Sequence, residues 1–502
     1  MNVVVIGAGL SGLAAACHLT ADGHDVTVLE REDVVGGRAG VLRLGGFRFD
    51  PGPVVMTMPD LLAAPIRAVG GDPDALVPMT QLDPAYRAVF ADGSHLLVRA
   101  GLADLREEVR RVSGDADAAG FDEFVRWLGQ LHGAEFDAFI DHNYRSALDL
   151  LAVPGAALRL LRLGGFRALG PKVGSFFTDE RLHRIFGFQS LYAGVAPAQA
   201  RALFAIITYM DTVRGVFYPD GGMHAIATGL ADALAAADVP IHLGTPVGEI
   251  LTRSDGAVAG VRTTEGDRLA ADAVVCTVDL PVAYDQLLPQ VSMPRRVARG
   301  RYSPSAVVWH LGVRGRPGPQ IAHHSIHFGA QWDEAFAALI DRGELMPDPS
   351  RLVTVPSVTD PTAAPDGCTA MYVLEPVPHT GARIDWSEEA GPMRDRLLGF
   401  LTDNDYPVDI VEEQLVTPAD WQELGLYRGT PFALAHTFSQ SGPFRPSNID
   451  RRVPGLVFAG SGTTPGVGIP MVLVSGRLAA ERVSQYAGRA APRPTAAPVG
   501  VA

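Results

Sequence analysis

The chain has 502 residues, 47% of them hydrophobic and 20% charged, which is the balance of a globular protein with two or more domains. A formal net charge of −14 excludes a dedicated nucleic-acid binder, whose phosphate contacts need a surplus of Lys and Arg. Three widely spaced cysteines, Cys17, Cys276 and Cys368, form neither a disulfide framework nor a metal cluster and read as buried thiols in a reducing compartment.

The apolar start lacks the basic n-region of a signal peptide and breaks on glycines, so it reads as structure. A β-branched run at 2–6, an Ala- and Leu-rich helical stretch at 13–22 and a second strand at 25–30 spell strand, turn, helix, strand. Gly7, Gly9 and Gly12 occupy the turn as GxGxxG, the context in which that spacing binds a dinucleotide. Gly7 permits the tight turn, Gly9 lets backbone approach a pyrophosphate, and Gly12 lets the helix pack closely. The helix N-terminus, at Leu10 and Ser11, offers unpaired N–H groups to phosphate. Glu30, followed by Arg31, ends the second strand where a carboxylate can accept both hydroxyls of a ribose. Up to this point the unit does not separate NAD from FAD. Gly36, Gly37 and Arg38 come next, two glycines for backbone approach and a guanidinium that can reach pyrophosphate oxygens. The turn FDPGP at 49–53 then brings Gly52 and Pro53.

Helical patterns dominate from about 102 to 215, punctuated at Pro154, Gly164, Gly165 and Pro171. The segment 150–178 carries Arg159, Arg162, Arg167 and Lys172 among apolar residues with no acid up to Phe177, a composition suited to anionic lipid headgroups or, alternatively, to a core helix with solvated arginines. An α/β pattern returns at 222–278 and includes Val247 in a strand; residues 290–440 mix strands with an amphipathic helix near 385–402. A strand at 455–460 and a helix beginning near 471 follow, and the Ala- and Pro-rich end after about 487 reads as a disordered tail. Because no run reaches the roughly 18 apolar residues of a spanning helix, membrane contact is expected to be peripheral.

GxGxxG, Glu30 and GGR together resemble the flavin-containing amine oxidase superfamily. FDPGP at 49–53, LDPAYRAVFADG at 82–93, FYPDGGM at 217–223, AHHSIHFG at 322–329, VLEPVPH at 373–379, SQSGPFRPSNID at 439–450 and FAGSGTTPGVGIP at 458–470 narrow the resemblance to its bacterial phytoene desaturase branch. The resemblance implies a noncovalent FAD. On it, Gly460, Ser461 and Gly462 face the phosphates and ribitol, Gly468, Ile469, Pro470 and Met471 approach the ring, and Val247 lies against the adenine. The fold it implies is α/β: a discontinuous Rossmann-type FAD-binding domain (1–70, 216–290 and 441–487), a helical substrate and membrane-associating region (71–215), a sheet-containing mixed α+β substrate domain (291–440), and a tail (488–502).

The activity so implied is desaturation of a C40 polyene, with hydride transfer to flavin and loss of a vicinal proton. A substrate without charge or hydrogen-bonding groups calls for an apolar tunnel. With no second nucleotide motif, a quinone or oxygen is the expected electron acceptor, and the location is cytoplasmic at the membrane surface. The proton acceptor maps poorly: the family's carboxylate and arginine precede FFTDERL, whereas here the nearest acid is Asp149. His323, His324 and Arg445, in matched motifs, are the candidates, with packing roles as the alternative; no metal site is expected at the histidines. Thr464 stands where the family has histidine, which leaves open another carotenoid flavoenzyme (a diapocarotenoid or hydroxycarotenoid desaturase, or an isomerase), an amine oxidase, or a noncatalytic flavin or carotenoid binder.

Overall fold

The computed structural model describes residues 1–144, 146, 148–149 and 153–490. The alternating Val and Ile residues of Asn2–Ile6 form the centre of a five-stranded parallel sheet in the order 456–458, 273–276, 2–6, 25–29 and 241–242. Its strands come from the two ends and the middle of the sequence. One face (Val3, Val5, Val28, Val275) is covered by helix Leu10–Ala21 and helix Ile469–Ala490. The other face (Val4, Ile6, Val274, Cys276) is covered by a three-stranded antiparallel sheet of 247–252, 258–263 and 268–270. Small residues let the two helices meet: a Cβ on Gly476 would lie 2.5 Å from the Ser11 carbonyl oxygen and 2.8 Å from Ala15 N.

A second sheet has seven strands in the order 409–416, 305–314, 368–377, 351–354, 324–328, 86–90 and 95–98, all antiparallel except 324–328 beside 86–90. The period of two sorts its faces. Val307, Trp309, Leu311 and Val313 pack on helix Trp386–Asp403, while Ala306 and Val308 face the opposite way with Tyr372. The structure therefore departs from the helical reading of 71–215 at its start: Tyr86–Phe90 and His95–Val98 are strands of this second sheet, and helix begins at Leu102. Helix Leu102–Glu135 is bent at Gly114, whose φ of +85° breaks the helical backbone. The last helix runs to Ala490, three residues into the stretch expected to be tail. The remainder of that tail, 491–502, and residues 150–152 of the basic segment lie outside the described residues.

Candidate active site

A cavity of about 1600 Å³ runs from the C-terminal ends of the parallel strands to the inner face of the seven-stranded sheet. At the first end its wall is backbone. Helix Leu10–Ala21 starts at Gly9 with no side-chain cap, so its first N–H groups are left for whatever fills the cavity. Gly9 has an ordinary extended conformation, φ −72° and ψ 170°, and a Cβ there would meet no protein atom nearer than 4.0 Å. Neither strain nor packing requires glycine at position 9, so the space it leaves is space for a ligand. Gly12 differs: its Cβ would sit 2.0 Å from the Gly7 carbonyl oxygen, and it packs helix on strand without lining the cavity. Gly36, at φ +116°, turns the chain so that its N–H donates to Ala8 O at 2.8 Å, bringing GGR alongside the first turn.

Glu30 is buried at the end of the second strand, its Oε2 accepting from Ala8 N at 2.6 Å and its Oε1 from Glu32 N at 3.0 Å. Arg38 donates to Ser461 Oγ at 2.8 Å and to the Pro431 carbonyl. Burial lowers its pKa, against which the Asp279 carboxylate works. Arg31 stays at the rim, donating to Leu424 O at 2.8 Å. Gly7, Leu10, Ser11, Gly37, Gly52, Pro53, Val247, Gly460, Gly462, Gly468, Ile469, Pro470 and Met471 line the same cavity, so of the expected cofactor set only Gly12 stands behind the wall. Open glycines, an uncapped helix, a buried carboxylate and a guanidinium together fit the phosphates and sugars of a dinucleotide.

At the other end the wall is carbon. Tyr86, Phe188, Phe328, Trp332 and Phe336 form a run of ring contacts with centroids 4.9–5.9 Å apart. Helix Pro154–Arg162 contributes Ala157 and Leu160 to the wall and turns Leu158 (46% exposed) and Leu161 (63%) outward. Phe166 and Phe438, both also lining the cavity, meet edge to face beside it at 6.3 Å. Arg159, Arg162 and Arg167 are exposed, whereas Lys172 is half-buried over the Phe176 ring at 4.3 Å. The fourth cation of the basic segment is thus stacked on an aromatic ring.

The three residues expected to serve proton chemistry do not share the cavity wall, although the His323 and His324 rings meet with centroids 4.5 Å apart. His324 lines the cavity, its Nδ1 bonded to Thr354 Oγ1 at 2.9 Å, and burial holds its pKa well below the usual histidine range. His323 is not among the lining residues; it pairs with Thr359 Oγ1 at 2.8 Å, and burial pushes its pKa down to about 3. Arg445 is also behind the wall. Its buried guanidinium donates to the carbonyls of Ser461 (2.6 Å), Thr463 (2.9 Å), Leu434 (3.2 Å) and Gln440 (3.3 Å), so it fastens the Gly460–Gly462 loop in place. Several carboxylates not singled out from the sequence also line the cavity, among them Glu135 and Asp211 at its carbon end. Glu135 carries a signal that could have found it. It follows Leu128 and Leu131 on the buried stripe of its helix, where an acid is out of place.

The sequence profile of flavin-containing amine oxidoreductases matches residues 10–484. The chain is 48% identical to a phytoene dehydrogenase of Streptomyces griseus, covering 99% of this chain and 98% of the relative. It is 36% identical to a zeta-carotene-forming phytoene desaturase of Myxococcus xanthus, covering 97% and 94%. Among solved structures, the cyclohexylamine oxidase of Brevibacterium oxydans aligns with a TM-score of 0.59 at 18% identity, covering 97% of this chain and 99% of that one, a likeness of fold.

Proposed function

The chain belongs to the flavin-containing amine oxidoreductase family, and from that premise we propose an FAD-dependent carotenoid desaturase of the phytoene type, an oxidoreductase acting on CH–CH groups. The observation that carries the reading is the continuity of the cavity, a dinucleotide cradle that opens directly into a tunnel of carbon. A polyene has nothing to offer but apolar surface, worth roughly 25 cal/mol per Å² removed from water, and the aromatic end of the cavity is built to accept that. The phytoene-named relatives, matched over nearly their whole length, support the same substrate class.

FAD bound here would supply a two-electron oxidation of an allylic C–H bond, with a quinone or oxygen as the final electron acceptor. The chain's part is to hold and to exclude. In this reading Gly7, Gly9 and the start of helix Leu10–Ala21 face the pyrophosphate, Gly12 packs the helix behind them, and Glu30 accepts the ribose hydroxyls. Arg38, oriented by Ser461, neutralises phosphate charge. Val247 lies by the adenine, Arg31 closes the rim, and Gly36, Gly37, Gly460 and Gly462 let backbone lie close. Gly52, Pro53, Gly468, Ile469, Pro470 and Met471 surround the ring, where the positive end of helix Ile469–Ala490 favours negative charge.

The same reading divides the chain into a discontinuous nucleotide domain (1–70, 216–290 and 441–487), a substrate region (71–215) whose helical part begins at Leu102 after two strands that join the second sheet, and a sheet-containing substrate domain (291–440). The protein works at the cytoplasmic face of the membrane. Among the described residues no helix is long and apolar enough to cross a bilayer. Outward Leu158 and Leu161, flanked by exposed Arg159, Arg162 and Arg167 and backed by cavity-lining Leu160, suit a monotopic contact through which substrate leaves the lipid.

Purified protein incubated with FAD, a quinone and phytoene in liposomes is expected to develop the long-wavelength absorption of an extended polyene. Absence of new polyene absorption, with the flavin spectrum unbleached on anaerobic mixing, would sink the reading.

A further inference from the structure

We propose that Asp211 is the base that takes the proton in each desaturation step, held ready in the cavity wall by Gln189 and Thr212. The proposal rests on the desaturase reading above. Each new double bond removes two hydrogens from neighbouring carbons. One leaves with both electrons of its C–H bond as hydride, the flavin's share; the other leaves as a proton to an Asp211 carboxylate oxygen, and its C–H electrons close the C=C bond. Charge and electrons balance with no further reactant.

Asp211 lies in a single π-type turn, Tyr209–Val213, closed by Arg214 N–H donating to Tyr209 O at 3.1 Å. The wider turn directs Asp211 into the cavity wall. The residue before it, Met210, packs with Met58 and with Met471 of the helix start assigned above to the ring. Gln189 Nε2 donates to Asp211 Oδ2 at 3.2 Å and Thr212 Oγ1 to Oδ1 at 2.8 Å. One donor on each oxygen stabilises the charged form, which is the form a base must start from.

Two other ionisable groups described above on the cavity wall, His324 and Glu135, suit the role less well by a simple test of sign. An acceptor in apolar surroundings works best if proton uptake discharges it. His324 would become a cation there, and burial opposes that. Glu135 has an unpartnered buried Oε2, and burial raises its pKa well above the carboxylate range, which disfavours the charged form a base must start from. For Asp211 burial raises and its two donors lower, with a balance at about 7. It can therefore ionise near neutral pH and is discharged by uptake. Tyr86 and Tyr192 face it closely enough to feel its charge, Tyr209 of its own turn stacks on His132, and the helix carrying His132 also brings Glu135; no Lys or Arg is among these groups.

Asp211→Asn and Asp211→Glu test the assignment, with retained FAD content as the measure of folding. Asp211→Asn is expected to lower kcat on phytoene liposomes by on the order of 10²-fold or more while leaving KM within about threefold, and Asp211→Glu to recover part of the rate. In wild type the rate rises with pH through about 7, and Asp211→Asn must abolish that limb. By infrared difference spectroscopy, a carboxyl band titrating near 7 must vanish in Asp211→Asn, while the band of Asp50, pushed up to about 6, remains as reference. Wild-type turnover with an undiminished Asp211→Asn rate, an unchanged limb or a persisting band overturns this assignment alone. A wild type that never reduces its flavin with phytoene overturns the desaturase reading and the assignment together.

Discussion

At the dinucleotide end the cavity is walled by main chain, with N–H groups, carbonyls and the gaps left by glycine. At the carbon end it is walled by rings and branched side chains from Tyr86 to Phe444. The electrostatics differ in the same sense. Glu30 is buried and Arg38 half-buried, and both are hydrogen-bonded, to Ala8 N and to Ser461 Oγ and the Pro431 carbonyl. The carbon end instead leaves Glu135 Oε2, Tyr86 Oη and His324 Nε2 without partners. One end is made to meet charge and the other to repel it. A residue's ionisation therefore depends more on which end it occupies than on what it is.

The largest effect should come from filling the main-chain end. Gly9→Val places side-chain carbon in space that no protein atom occupies within 4.0 Å of a Cβ. Apoprotein stability should stay within about 0.5 kcal/mol, while FAD retained after purification falls on the order of 100-fold, about 2.8 kcal/mol. Gly12→Val should lower apoprotein stability as well, because its Cβ meets Gly7 O at 2.0 Å. Flavin absorbance per protein and thermal melting of the two apoproteins separate them. If Gly9→Val keeps its flavin, the cradle has been misread.

The two ends were also unequally legible. A backbone site needs glycines and caps at fixed spacing, so Gly7, Gly9, Gly36 and Gly460 could be read one by one. The carbon end is assembled across strands 86–90 and 324–328, the segment around Phe188 and helix 154–162, which no local spacing links. Strands Tyr86–Phe90 and His95–Val98 were hidden for a related reason: they pair with residues far away in the sequence, so that segment was absorbed into the helical region beginning at 71. Asp211 gains its character from burial, which a sequence does not display, whereas Glu135 was legible as an acid on the buried stripe of its helix. His323, His324 and Arg445 stood out because they sit in conspicuous motifs, yet only His324 reaches the cavity.

A second prediction uses the carbon end's hostility to charge. The Asp211 pKa is raised from 3.8 to about 7, so between those values the folded state keeps a proton that the unfolded chain has released. Stability contributed by this group is therefore lost as pH rises through that window and stays lost above it. At about 1.4 kcal/mol per unit the penalty is a few kcal/mol as an upper figure. Asp211→Asn, which keeps an oxygen for Thr212, should melt a few degrees higher than wild type at about pH 8 and equal to it at about pH 4. Equal melting at both would mean that the site is wetter than its walls suggest.

The mouth of the carbon end should respond less per residue. Arg159, Arg162 and Arg167 are exposed and make no ion pair among the described residues, so each changed to Gln should weaken sedimentation with anionic liposomes by about 1 kcal/mol. Lys172→Gln should change it least, because that ammonium is already spent on the Phe176 ring. Leu158→Ser and Leu161→Ser should weaken binding to neutral liposomes too, where the arginines should not. Unchanged sedimentation in all of these would place the membrane contact elsewhere.

The smallest effect is expected at the most conspicuous residue. His324 lies on the cavity wall, but its Nδ1 is engaged by Thr354 Oγ1 at 2.9 Å and burial keeps its ring neutral across the physiological range. A group that stays neutral cannot impose a pH limb, and as a base it would have to become a cation among carbon atoms. His324→Gln keeps a hydrogen-bonding partner for Thr354 and adds no charge. It should leave turnover within about threefold and the limb near pH 7 where it was. If His324→Gln moves that limb, the ring is protonated during turnover, and the cavity must admit enough water or countercharge at this point to undo the contrast between its two ends.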